Sequence, residues 1–369
     1  MRKLAMLGTA LAIAASFAAT AAKAQELNFG IISTEASVNQ KKNWEPYLDA
    51  MSKATGLKIN GFYASDYAGV IEAMRFNKVQ VAWYGNKSAM EAVDRSSAEV
   101  FAQTVSKDGS NGYYAHILVN ADSPFQKLDD ILKCDKTLDF GIGDPNSTSG
   151  FLVPTSYIFA AKNIDPKQCF KTVRNGSHQA NAMAVANKQI NAGTNNSEDL
   201  QRLEKNSPED FKKVRIIWTS PIIPLDPITW RKDLDPAVKT KLYTFLLSYG
   251  RVGTPEEIKA AREVLANLVW SPMNPSNDNQ LLPIRILEAN RSLMKIKSDD
   301  KLTAEQKAEQ SKPLTAEIAK LQAATAKAET APFKAQLATF VEADKAGDQA
   351  KLKKMIAEFA AAAVNTPTN

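Results

Sequence analysis

The sequence predicts an α/β protein of two lobes, one interrupted by the other, followed by an added α-helical C-terminal tail. Three observations carry this. Short apolar runs alternate with helix-length amphipathic stretches over residues 27–120, and the pattern restarts at 137. Two long extended runs, YYAHILVN (113–120) and VRIIWTSPIIP (214–224), bracket the second block and suit crossings between lobes. Residues 300–363 then change composition, being rich in Ala, Lys, Glu and Gln and nearly free of aromatics.

The elements follow in order. LNFGIIS reads as a strand, WEPYLDAMSKATG as a helix ending on Gly56, and LKINGFYA as a second strand. YAGVIEAMRFNK is an amphipathic helix, VQVAWYG a strand and NKSAMEAVDR a helix. Such alternation argues for βαβ units and a mostly parallel sheet. The second block reads LDFGI, a helix over 149–162, KTVRN, a helix over 179–188, INAGT and a helix over 197–203. PITWRKDLDPAVKTKLYTFLLSYG then returns to the first lobe, with Leu242, Phe245, Leu246 and Tyr249 on one helix face. The expected divisions are lobe 1 over 25–112 and 222–299, lobe 2 over 113–221, and the tail over 300–369. Pro313, Pro332 and Gly347 divide the tail into helix-sized pieces. Its stripes (Leu314, Ile318, Leu321; Phe333, Leu337, Phe340; Leu352, Met355, Ile356, Phe359) need a packed face, on the body or on a second subunit. The expectation drawn from them is a weak homodimer. The last residues, NTPTN, read as a frayed end.

Arg2 and Lys3, the apolar Ala-rich run behind them, and Ala22-Lys23-Ala24 make residues 1–24 a secretory signal peptide. The mature chain is then expected to begin at Gln25, in the periplasm. The net charge of +6 includes three positives in that leader, and the rest are scattered, so nothing points to nucleic acid. Cys134 and Cys169 each precede a predicted strand. If those strands are parallel neighbours the thiols meet and a disulfide forms; free cysteines are the other reading.

Enzymatic chemistry finds little support. No G-x-S-x-G, H-E-x-x-H or G-x-x-x-x-G-K-[ST] occurs, and two histidines leave few options for a triad or zinc. No metal or cofactor is expected.

Binding chemistry gathers at strand ends instead. GDPNSTSGFLVP (143–154) follows LDFGI and puts Ser147, Thr148 and Ser149 where a helix starts. One hydroxyl suffices for an N-cap; three also suit an anion, because a helix N-terminus offers unpaired N–H groups and a positive dipole end. Ligands of open α/β sheets bind beyond the carboxyl ends of the strands. Six such ends are polar or aromatic: ISTE, SDYAG and WYGN in lobe 1, and DPNSTS, NGSH and TNNSE in lobe 2. His178 is a donor to an anion or a surface cap, and Glu198 can simply support a helix start. Asp226 can be a turn residue between prolines. Tyr67 and Tyr113 can be core aromatics. His116 reads as structural or as part of a hinge, and Pro154 as a bend in its helix.

The stretches LNFGIISTE, FYASDYAGVIEAMRFNKVQVAWYGNKSAMEAVDR, FAQTVSKDGSNGYYAHILVN, GDPNSTSGFLVP, AVANKQINAGTNNSEDL and IIPLDPITWRKDL resemble the substrate-binding proteins of phosphonate ABC importers, over roughly residues 27–300. The resemblance implies a periplasmic-binding fold of type II, capture of alkylphosphonates with 2-aminoethylphosphonate favoured, and delivery to an inner-membrane ABC permease. The rival ligands within that class are methylphosphonate and phosphite. The family's phosphonate-binding residues match Ser147, Thr148, Ser149 and Tyr113. Those around the organic end match Tyr67, His178, Glu198 and Asp226. RNGSH carries one residue more than the family pattern, and the tail is longer than the family's usual end.

Overall fold

The computed structural model describes residues 25–110 and 112–365. The expected signal peptide and the last four residues lie outside them. In the first lobe, β1 (Glu26–Ile31), α1 (Ser37–Thr55), β2 (Lys58–Tyr63), α2 (Tyr67–Arg75), β3 (Val81–Trp83) and α3 (Asn86–Arg95) alternate. β4 (Ala98–Ser106) follows, and β5 (Gly112–Tyr113) leads across. The second lobe holds β6 (Ala115–Asn120), β7 (Asp139–Ile142), α4 (Pro166–Cys169), β8 (Thr172–Asn175), α5 (His178–Ala186), β9 (Ala192–Asn196), α6 (Ser197–Asn206), α7 (Pro208–Phe211) and β10 (Val214–Thr219). The chain returns through β11 (Ile223–Pro224), which pairs with β5, to β12 (Pro227–Arg231), α8 (Pro236–Ser248), α9 (Pro255–Asn267), β13 (Trp270–Pro275) and α10 (Leu282–Ser298). α11 (Ala304–Glu329), α12 (Pro332–Lys345) and α13 (Gln349–Asn365) form the tail.

The first sheet runs β13-β4-β12-β3-β1-β2 and the second β10-β6-β9-β7-β8. Both are mixed, where the alternation suggested mostly parallel pairing. β1 pairs in parallel with β2 and β3, and β7 with β8 and β9, whereas β6 and β12 are antiparallel to their neighbours. The reason lies in the crossings. A chain arriving from the other lobe enters at the carboxyl edge of the parallel strands, so its first strand must run back against them.

Lobe 1 packs around Trp44, Trp83 and Trp270, whose rings lie 5.2–5.5 Å apart, and lobe 2 around Phe140, Phe159 and Phe170. Cys134 and Cys169 form a disulfide. Closing that loop stabilises the fold by about 4 kcal/mol in the chain-entropy model.

The helix expected over 149–162 has wide turns over Thr148–Leu152 and Thr155–Ala160, and the Leu152 and Ala161 amides each reach back five residues. Pro154 lies between the two, where it removes a donor from the ladder.

The tail departs from expectation twice. Pro313 does not interrupt α11, because it is exposed and water can serve the carbonyl it leaves unpaired. The apolar stripes, moreover, are used within the chain. Phe340, Leu352, Ile356 and Phe359 join the lobe 1 core, Arg251 Nε bonds Asp344 Oδ2 at 2.7 Å, and α11 lies along α10. The homodimer expected through these stripes therefore loses the observation that motivated it. Among the described residues, no helix is long and apolar enough to cross a membrane.

Candidate ligand-binding site

Two close approaches of glycine backbone shape the site. At the end of β7, the Gly143 amide bonds the Gly150 carbonyl at 2.9 Å, and a Cβ on Gly143 would meet Gly150 backbone atoms at 2.6–2.8 Å. Only glycine lets the strand end lie against the following helix so closely. A Cβ on Gly85 would lie 3.2 Å from Thr148 Oγ1, so the end of β3 in lobe 1 meets this same turn.

Between these ends lies a small cavity lined by Tyr67, Tyr113, Ser147, Thr148, Ser149, His178, Glu198 and Asp226. The structure thus brings all eight sequence-predicted residues to one cavity. His116 stays outside it, with Nδ1 3.1 Å from Thr219 Oγ1 between β6 and β10, and burial pushes its pKa down to about 4.

One end of the cavity is built of hydroxyls. Ser147 Oγ accepts from the Gly150 amide at 3.0 Å, as the N-cap reading required. Thr148 Oγ1 accepts from the Lys87 amide of lobe 1 at 2.8 Å, and Ser149 Oγ from Asn196 Nδ2 at 3.0 Å. Each oxygen already receives an N–H, which leaves its own proton to donate. The Tyr67 hydroxyl lies against Ser147, and that of Tyr113 against Ser149 and Asp226.

His178 completes this end. Asn196 Oδ1 accepts from the Asp199 amide at 2.7 Å, which turns Nδ2 toward His178 Nε2, 3.1 Å away. Nε2 is therefore the acceptor and the ring proton sits on Nδ1. Burial and then Arg202 push the imidazole pKa down to about 3, so the ring is neutral.

The other end is acidic. Glu198 and Asp226 are 3% and 5% exposed, and Glu198 Oε1 and Asp226 Oδ1 have no hydrogen-bond partner among the described residues. Burial raises both pKa values, and repulsion from Glu198 raises that of Asp226 further. An ionised carboxylate so placed is costly unless a cation meets it.

Sequence reasoning missed Asn196 and Arg202, which also line the cavity. Asn196 could have been found as the cap inside TNNSE, and Arg202 from its place one turn beyond Glu198.

The chain has counterparts among known proteins. The family model for the phosphonate periplasmic substrate-binding protein of ABC transporters matches residues 29–281. The phosphonates-binding periplasmic protein of Escherichia coli K12 is 50% identical over 292 residues, which are 79% of this chain and 84% of that one. A binding-protein component of an ABC phosphonate transporter from Pseudomonas aeruginosa has a similar structure. Its TM-score is 0.80 at 48% identity, over 84% of this chain and 100% of that one. A Prochlorococcus marinus protein solved with methylphosphonate shares the type II periplasmic-binding fold, with TM-score 0.62 at 19% identity over 71% of this chain and 97% of that one. With its two-lobed fold and interlobe cavity, the chain belongs to the periplasmic substrate-binding proteins of phosphonate ABC transporters.

Proposed function

We propose that the chain captures 2-aminoethylphosphonate and related alkylphosphonates in this cavity and delivers them to an inner-membrane ABC permease. In this reading Ser147, Thr148, Ser149 and Tyr113 hold the phosphonate, while Glu198 and Asp226 face the ammonium group; Tyr67 and His178, expected beside the ammonium, lie against the serine hydroxyls instead. The single observation behind it is the polarity of the cavity: hydroxyls able to donate at one end, and at the other two buried carboxyl groups, each with one oxygen that finds no hydrogen-bond partner among the described residues. A short zwitterion satisfies both ends with charge-assisted bonds. Phosphate, phosphite or methylphosphonate brings no cation and leaves both acids unpaired.

The same reading takes residues 1–24 as an export signal, cleaved before Gln25. It places lobe 1 at 25–112 and 222–299, lobe 2 at 113–221 and the tail at 300–369.

Thermal unfolding of the purified mature chain tests the assignment. A Tm that rises with 2-aminoethylphosphonate more than with methylphosphonate or phosphate is expected, because ligand bound only to the folded state stabilises it. An unchanged Tm with every phosphonate at millimolar concentration would refute the reading.

A further inference from the structure

Arg202 is the one arginine or lysine among the residues lining the ligand cavity, and it stands one helical turn beyond Glu198 on α6. A cation at that spacing would ordinarily pair with the acid before it. Arg202 does not. Its Nε lies 2.9 Å from Oε1 of Glu35, which belongs to the loop after β1 in the opposite lobe. Asp199, the other acid nearby, is 4.0 Å from Arg202 and takes a bond from Asn195 Nδ2 at 2.8 Å.

Glu35 does not line the ligand cavity. It borders a second, small space lined also by Asn43, Trp44, Trp83 and Trp270, and Arg202 borders that space too. The guanidinium therefore borders both spaces, and the Glu35 carboxylate is the acid that lies 2.9 Å from it.

We propose that Glu35 is a specificity-determining residue that acts through position: by holding Arg202 away from Glu198 and Asp226, it keeps both acids free for the ammonium group of the ligand. This rests on the zwitterionic ligand proposed above. Without the Glu35 carboxylate, Arg202 turns to the two acids and supplies the cation from within the protein. A ligand with its own cation is then opposed, and one without a cation no longer leaves carboxylates unpaired. Glu35 thereby governs the choice of ligand without touching it.

The experiment is titration of the full mature chain with 2-aminoethylphosphonate and with methylphosphonate, for wild type, E35Q and the double variant E35Q/R202Q. The readout is the ratio of the two dissociation constants. E35Q should reduce the preference for 2-aminoethylphosphonate by about tenfold or more, with methylphosphonate held or improved. Removing the arginine as well should restore the preference. Should E35Q fail to fold, Glu35→Asp, which keeps the charge but draws it back, should give an intermediate ratio. Equal weakening of both ligands, or a double variant that does not regain the preference, would overturn the role of Glu35. A wild type with no preference for 2-aminoethylphosphonate would instead refute the ligand assignment itself.

Discussion

In the proposed reading, two carboxyl groups set the cavity's preference. Glu198→Gln and Asp226→Asn each remove a charge from the acidic end and leave the hydroxyl end untouched. Each should weaken 2-aminoethylphosphonate by about 1–3 kcal/mol, the range for a hydrogen bond to a charged group, with little effect on methylphosphonate. Titration of both ligands against both variants checks this, and equal losses would contradict the ammonium role. The same acids predict a proton signal. Burial raises their pKa values, and a bound cation lowers them again, so protons held there in the ligand-free protein leave on binding over the pH range between the two. Binding of 2-aminoethylphosphonate should therefore release protons. Its affinity should rise with pH through the range where the free acids ionise, while methylphosphonate displaces none from them. Calorimetry in two buffers of different ionisation enthalpy reads the difference. At this scale the sequence was informative through long ordered motifs: Ser147, Thr148, Ser149, His178, Glu198 and Asp226 sit in stretches that resemble a known family. The pairing of Arg202 with Glu35 was not legible. Their pairing spans the two lobes, and nothing local in either segment announces the other.

Elements were read well where periodicity was strong and poorly where composition misled. β13 reads WSPMNP, with two prolines that argue against a strand. It survives because it is the edge strand of its sheet and its register shifts between Ser271 and Asn274. β4 (AEVFAQTVS) went unassigned, although its interleaved polar and apolar residues suit a strand and it lies between β12 and β13. β9 was expected over 190–194 and occupies Ala192–Asn196, since the polar Asn195 and Asn196 find buried partners in His178, Asp199 and Ser149. The tail helices belong to the lobe 1 core. Phe340 is fully buried, with the Arg251 guanidinium 4.9 Å from its ring centre and the Phe359 ring 5.8 Å away. Phe340→Ala should cost about 3–5 kcal/mol of stability, as for other large-to-small changes in cores. Ligand affinity should be unchanged, because the site lies between the lobes. Urea unfolding and ligand titration of the same variant check both halves. A variant as stable as wild type would mean that the tail is not part of the core.

The whole molecule encloses the site. Besides Arg202 to Glu35, the Lys87 amide bonds Thr148 Oγ1 at 2.8 Å, the Ala36 amide bonds Gln179 Oε1 at 2.9 Å, and the Tyr67 amide bonds Asp144 Oδ2 at 3.2 Å. Each joins one lobe to the other, so a ligand enters and leaves only when these bonds part. Closure excludes water and strengthens every charge interaction inside, which is why the match of charge along the cavity outweighs its small size. In the proposed reading the cavity selects a zwitterion, anion at the hydroxyls and cation at the acids. Isothermal titration calorimetry of the mature chain with 2-aminoethylphosphonate and with methylphosphonate, in one buffer, tests it most directly. Tighter binding of 2-aminoethylphosphonate by about two orders of magnitude is the predicted result, corresponding to roughly 3 kcal/mol from the ammonium contacts. Equal affinities, or binding of methylphosphonate alone, would contradict it.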